Sequence, residues 1–207
     1  MRKLIWLALM VLYVTGCAST SEEKVSDTEE RNSAMVQVEA KEEVNATSQS
    51  SVPVIKDANL GVDPVTIEIP SLDINAEIEE VGRIENGQMG VPENVDNTGW
   101  FEPGTKPGNR GSSVIAGHVD DKTGPSVFFN LEDMENGDKI IITGENKKRL
   151  TFKVVGKEVF PKNDAPVSEI FGYTSRRMLN LITCTGDFNN SVGTHNDRLV
   201  VYTELVE

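Results

Sequence analysis

Cys184, His118 and Arg198 are the side chains of this chain whose types and positions suit covalent catalysis. A thiol attacks a carbonyl carbon only as thiolate, so a nucleophilic cysteine needs a base or a cation beside it. The chain holds only two histidines. His118 closes the apolar run Ser113-Val114-Ile115-Ala116-Gly117 and should emerge at a strand end, with Gly117 leaving room beside it. His195 lies in the polar stretch Asp187 to Asn196, which reads as a loop with a merely solvated histidine. Position therefore favours His118 as acid or base. Attack on an amide also builds an oxyanion, which needs a hydrogen-bond donor. Arg198 opens the apolar run Leu199-Val200-Val201-Tyr202 and carries a permanently charged, rigid fork of donors that can hold a carbonyl or developing negative charge.

Cys184 lies in Leu181-Ile182-Thr183-Cys184-Thr185-Gly186, and the fate of the second cysteine, Cys17, decides whether it is a lone thiol. Met1-Arg2-Lys3 supplies a positive start, Leu4 to Val14 an apolar stretch, and small residues follow, which is the layout of a secretory signal. The apolar stretch falls well short of the roughly 20 residues that span a bilayer. Val14-Thr15-Gly16-Cys17 resembles a bacterial lipobox, whose cysteine takes a diacylglyceryl group before the signal is cut away in front of it. Ordinary signal cleavage nearby and an uncleaved, tilted anchor stay open. With Cys17 lipidated, residues 1–16 are lost and Cys184 has no thiol to pair with. Unpaired cysteines in exported proteins point to intermolecular pairing or to a reactive thiol.

Residues 17–62 are rich in Ser, Thr, Glu, Lys and Asn, lack aromatics and show no sustained periodicity. Such a composition buries too little apolar surface to offset chain entropy and reads as a flexible acidic tether. Residues 63–207 change character. Regularly spaced Val, Ile, Leu and Phe alternate with turn signals such as Asn86-Gly87 and Asn136-Gly137, enough for one domain with its own core. Most of the net charge of -13 falls on this part. An acidic balance argues against nucleic-acid binding and against direct adsorption to anionic lipid, so membrane attachment should come from the lipid on Cys17.

The periodicity predicts strands over Val65 to Ile69, Ala76 to Val81, Ser113 to His118, Lys139 to Thr143, Leu150 to Phe160, Met178 to Cys184 and Arg198 to Leu205. Short helices are expected over Ser126 to Met134 and Val167 to Phe171. Trp100-Phe101 belongs to the core or to a groove rim. Many short strands at turn-punctuated spacing imply a mainly β fold, closed or nearly closed into a barrel.

Ala116-Gly117-His118, Leu181-Ile182-Thr183-Cys184 and Asp197-Arg198-Leu199-Val200-Val201, in that order, resemble the sortases, cysteine transpeptidases of mainly Gram-positive cell surfaces. Ile69-Pro70-Ser71-Leu72-Asp73-Ile74, the run Gly111 to Asp120 and Gly124 to Phe129 agree, the last two looking most like the class E and class F branches. The resemblance covers essentially all of residues 63–207. It implies an eight-stranded β-barrel with Cys184 as nucleophile, His118 as acid or base and Arg198 as substrate and oxyanion ligand. It implies that Thr183 helps to position substrate or oxyanion. Asn180 stands where the family motif usually has threonine and can still hydrogen-bond. Asp120 and Asp121, beside His118, either orient its imidazole or form a polar turn. Ala165, Pro166, Val167 and Ile170 fall in the segment that packs the apolar part of a sorting signal in the family, with ordinary core packing as the alternative.

The implied partners are surface proteins with a C-terminal sorting signal and an amine acceptor, either a peptidoglycan precursor or a pilin lysine. The implied place is the outer face of the cytoplasmic membrane, or the medium if lipidation is absent. No cluster has transition-metal spacing, and no cofactor is expected. The L,D-transpeptidases also pair Cys with His, but their Ser-His-Gly-Cys signature is absent, as is the papain-like Cys-Gly-Ser-Cys-Trp pattern. A catalytically silent surface lipoprotein that binds peptide or wall is the rival of a different kind.

Overall fold

In the computed structural model, residues 58–206 are described. They form eight strands closed into a barrel in the order β1-β2-β3-β4-β7-β8-β6-β5. The strands are β1 Pro64–Ile69, β2 Ile74–Val81, β3 Thr98–Phe101, β4 Gly111–Gly117, β5 Lys139–Gly144, β6 Arg149–Pro161, β7 Arg177–Asn189 and β8 Thr194–Leu205, with one short helix, α1, over Val167–Phe171. Closure leaves no open sheet edge among these strands. Two neighbouring pairs, β2 with β3 and β4 with β7, run parallel, while the rest are antiparallel.

Alternation along the strands sorts the apolar residues into two clusters, because successive side chains point to opposite faces. Inside the barrel lie Ile67, Ile69, Trp100, Ile115, Phe128, Ile140, Phe152, Leu181 and Val201. Full burial of each such side chain contributes about 1.5–3 kcal/mol. A second cluster packs outside the barrel wall, where Phe101, Val114, Ile170 and Val200 join α1 to the sheet. Phe101 and Phe171 meet edge to face at 5.5 Å. Trp100 and Phe101 thus divide between the two clusters, as neighbours on one strand must.

The expected strands all occur, and the structure adds β3, whose four residues are too few to show a period. It also differs at three places. Ser126 to Met134 forms turns and a single 3-10 turn at Leu131–Asp133 instead of a helix, since Phe128, Leu131 and Met134 are drawn into the barrel as a plug. The stretch Asp187 to Asn196 is mostly ladder, with β7 and β8 extended on either side of a tight turn. The folded part also starts before the expected boundary. Val62 is buried at 2% exposure, its N–H donates to Pro107 O at 3.0 Å, and Gly61 N donates to Asn109 Oδ1 at 2.9 Å. These contacts close the barrel end, so Gly61 and Val62 are not tether. The signal segment, Cys17 and most of the tether lie outside the described residues.

Two local devices shape the end of β4. Gly117 has no room for a side chain, because a Cβ there would lie 2.5 Å from Phe128 Cδ2 and 2.8 Å from Val127 Cγ1. The space that a glycine frees is filled by the Phe128 plug and not by the neighbouring imidazole. The second device is Glu79 on β2, whose carboxylate accepts the N–H groups of Glu93 (2.8 Å) and Asn94 (3.3 Å) and the Asn97 amide (3.0 Å). It fastens the connection between β2 and β3, which passes beside the end of β4.

Gly117→Ala should lower unfolding stability by about 1–3 kcal/mol through overpacking against Phe128, measured by denaturant titration; an unchanged midpoint would show that Phe128 yields freely. Glu79 is held below its ordinary carboxyl range, first by the Glu93 N–H. Its contribution is therefore present above its unfolded value and is lost as pH falls through the folded one. The difference in Tm between the parent and Glu79→Gln should shrink as pH is lowered from about 6 to about 3, and a difference independent of pH would contradict this role.

Candidate active site

Strand register assembles the site. Cys184 on β7 is paired directly with Arg198 on β8. On its other side β7 runs parallel to β4, with Val114 opposite Asn180 and Ala116 opposite Ile182. The paired register ends there, and β4 reaches its end just before His118 as β7 runs on to Cys184. Neighbouring strands lie about 4.8 Å apart, so Cys184 and Arg198 stand side by side across β7 and β8, with His118 just past the end of the strand on the other side of β7. Cys184 and Arg198 share their face with Ile182 and Val200, which belong to the outer cluster, and not with the barrel interior. Cys184 is half-buried and free of any disulfide among the described residues.

His118 follows the last residue of β4, and its Nε2 lies 3.1 Å from Pro92 O. A carbonyl only accepts, so Nε2 carries the proton in this bond and Nδ1 is left to gain or lose one. Pro92 belongs to the connection that Glu79 fastens. Nothing in the sequence marks a carbonyl 26 residues away as the orienting group. Asp120 does not serve His118. Its Oδ1 lies 3.1 Å from Nε2 of His195, so the expectation that it orients the His118 imidazole is corrected. Beyond Gly117 the chain leaves the ladder and turns, with Asp120 bridged to Pro125, which carries the Asp120 carboxylate toward β8. Asp121 forms the polar turn by accepting Thr123 N at 2.7 Å and Gly124 N at 3.1 Å.

Arg198 is held by the β7–β8 turn region. Its Nη1 donates to His195 O at 3.0 Å and Asp197 O at 2.7 Å, and its Nη2 donates to Thr194 Oγ1 at 3.2 Å. A guanidinium has five N–H groups, so donors remain for a ligand after these bonds.

Thr183 and Asn180 take other places than expected. Thr183 precedes Cys184 and therefore points to the opposite face, where it is buried and donates Oγ1–H to Gly117 O at 2.9 Å. It ties the ends of β4 and β7 together and also lines the cleft beside Cys184. Asn180 shares the face of Cys184 but stands four residues along the strand, about 13 Å away at the usual rise. Buried at 1% exposure, it donates Nδ2–H to Ile170 O at 2.7 Å and anchors α1.

The expected groove residues divide in the same way. Ile170 is core, at 2% exposure, and Ala165 packs half-buried against the same cluster. Pro166 precedes the helix as its N-cap, and Val167 is open at 63% exposure. Together with half-buried Ala116 and Ile182 they leave an apolar floor running from α1 to Cys184. On the other flank of Cys184 a cleft of about 180 Å³ is lined by Val119, Asp120, Phe129, Glu132, Thr185 and His195. His195, expected as a solvated loop residue, is thus part of the site's wall.

This arrangement can hold an extended peptide on one face, attack a carbonyl from Cys184, stabilise the oxyanion through Arg198 and exchange a proton through His118. Comparison with known proteins agrees on the family. The family description "Sortase domain" matches residues 67–206. No curated protein matches the chain. Among solved structures, a lid mutant of sortase A from Corynebacterium diphtheriae superposes with a TM-score of 0.55 at 25% identity, covering 70% of each chain. Sortase C-1 from Actinomyces oris gives 0.55 at 24% identity, over 70% of this chain and 76% of that one. Sortase C1 from Streptococcus agalactiae gives 0.55 at 21%, over 69% and 67%. With a matching barrel and a matching family description, this chain belongs to the sortases, a family of cysteine transpeptidases.

Proposed function

We propose that this sortase cleaves an LPXTG-like sorting signal between Thr and Gly and transfers the new carboxyl end to an amine. The observation that supports this reading is the pairing of Cys184 with Arg198 across β7 and β8, with His118 just past the end of the adjoining strand β4. The Cys184 thiolate adds to the Thr carbonyl carbon, and Arg198 binds the resulting oxyanion. His118, protonated at Nδ1, gives that proton to the departing Gly nitrogen as the C–N bond breaks, leaving a thioester on Cys184. An incoming amine then adds to the thioester carbonyl while His118 accepts its proton, and sulfur leaves as thiolate.

The acceptor is a peptidoglycan-precursor amine or a pilin lysine, and the sequence motifs favour the class E and class F branches. In this reading Cys17 is lipidated and the tether holds the barrel at the outer face of the cytoplasmic membrane. A catalytically silent binding lipoprotein has no use for a lone thiol aligned with both a histidine and an arginine.

Incubating the full chain with sorting-signal peptides and amines, read by mass spectrometry, should give a thioacyl adduct on Cys184 that Cys184→Ala lacks. Arg198→Ala should lower kcat/KM by about 10²–10³-fold, as expected for loss of an oxyanion donor. No adduct with any peptide would favour the binding protein. Separately, radioactive palmitate should label the chain in cells and fail to label Cys17→Ala; unlabelled protein released to the medium would sink the lipid anchor.

A further inference from the structure

His195 bridges two segments that flank the nucleophile. Its side chain is only 14% exposed. Nδ1 lies 2.8 Å from Gly186 O, Nε2 lies 3.1 Å from Asp120 Oδ1, and Phe188 packs edge-on against the ring at 5.3 Å. Both polar neighbours are pure acceptors, a carbonyl and a carboxylate, so both ring nitrogens carry protons when both bonds are made. The ring therefore joins the β7–β8 hairpin to the turn after β4. That turn is a firm post, closed by the Asp120 to Pro125 bridge and by the Asp121 side chain on Thr123 and Gly124. The hairpin tip has little apolar anchorage, with Phe188 51% and Val192 64% exposed. Yet this same hairpin supplies the hydrogen bonds that the Arg198 guanidinium makes among the described residues, to His195 O, Thr194 Oγ1 and Asp197 O.

We propose that His195 is a positioning residue for Arg198. By linking Gly186 to Asp120 across the Cys184 cleft, it holds the hairpin in the arrangement whose His195 carbonyl and Thr194 hydroxyl orient the guanidinium. The role rests on the acyl-transfer reading, since Arg198 has an oxyanion to meet only in that reaction. The charge logic supports the geometry. The Gly186 carbonyl first, and then Asp120, draw His195 above its ordinary value, against partial burial and the Arg198 charge. The other titratable groups near the ring are Asp197 on β8, with its carboxylate against Gly186, and Glu132 and Cys184 across the cleft. A histidine raised in the folded state holds its tie fully below its unfolded value, about 6.5, and loses it as pH rises through the folded one. Neutral His195 keeps its Nδ1 proton for Gly186 and turns a lone pair toward the Asp120 carboxylate. In Asp120→Asn the amide can donate to that lone pair, so the tie persists at high pH.

The test compares acylation kinetics of the full chain and its variants on one sorting-signal peptide. His195→Ala and Asp120→Ala should each lower kcat/KM about tenfold or more, chiefly through kcat, as misplacement of a reacting-site group does. Removing both should cost little more than removing one. In an Arg198→Ala background His195→Ala should change nothing further, and Asp120→Asn should keep a larger share of its activity than the parent as pH rises above neutral. Equal losses from His195→Ala with and without Arg198 would overturn the proposal, because a general structural role predicts that result. A second readout is independent of turnover. Side-chain nitrogen NMR should show a restrained Arg198 guanidinium that becomes mobile in His195→Ala. If the parent forms no thioacyl adduct, the function reading fails on its own, and the NMR still decides this one: an Arg198 signal unchanged by His195→Ala overturns it.

Discussion

The backbone ladder joining β4, β7 and β8 is the constraint on which the site depends. A β-ladder sets neighbouring strands about 4.8 Å apart and alternates side chains between faces, so one register choice decides which residues of three distant segments stand together. Here it opposes Cys184 to Arg198 and brings the end of β4 alongside. A slip of one residue on any of the three strands would turn that strand's polar group into the barrel and expose Leu181, Val201 or Ile115 in exchange. The buried inner cluster therefore holds the register, and through it the pairing of Cys184 with Arg198.

The ladder sets where the backbone lies but does not orient the side chains that emerge from it. That task falls to irregular segments. The Pro92 carbonyl sets the His118 ring, and Glu79 holds the segment that carries Pro92. The β7–β8 hairpin holds Arg198, and His195 joins the hairpin to the turn after β4. The His118 ring is thus oriented by a connection remote in sequence, and the Arg198 guanidinium by residues close to it in the chain. Cys184 and Arg198 both sit within strands, whereas His118 lies just past the end of one. Thr183 and Asn180, to either side of the groove face, are structural in the same sense. One ties β4 to β7 from within and the other pins α1 from outside.

Much of the fold was legible in the sequence because strand alternation and turn residues are local signals. Seven strands and α1 follow from runs of Val, Ile, Leu and Phe with the period of their element. The segment over Ser126 to Met134 was misread because Phe128, Leu131 and Met134 have near-helical spacing, while the barrel needs a plug there and bends the chain to supply it. Val62 carries too little local pattern to separate it from the tether, and only its contact with the barrel end draws it in. Asp120 and His195 were each visible as titratable residues, but their pairing spans 75 positions and crosses a cleft. No local pattern encodes such a meeting.

By itself the sequence determined the chemistry available and the order in which it arrives along the chain: a thiol within an apolar run, a histidine at the end of another and an arginine at the start of a third. These follow from residue type and period, which act over a few positions. Only the tertiary structure decided which polar groups meet and which face of the barrel each one takes. Cys184 and Thr183 are adjacent in sequence yet lie on opposite faces of β7, one open to the groove and the other bonded to Gly117 inside the barrel. The physical reason is that function here depends on which face a side chain takes and which remote carbonyl or carboxylate it meets, and both are properties of barrel closure.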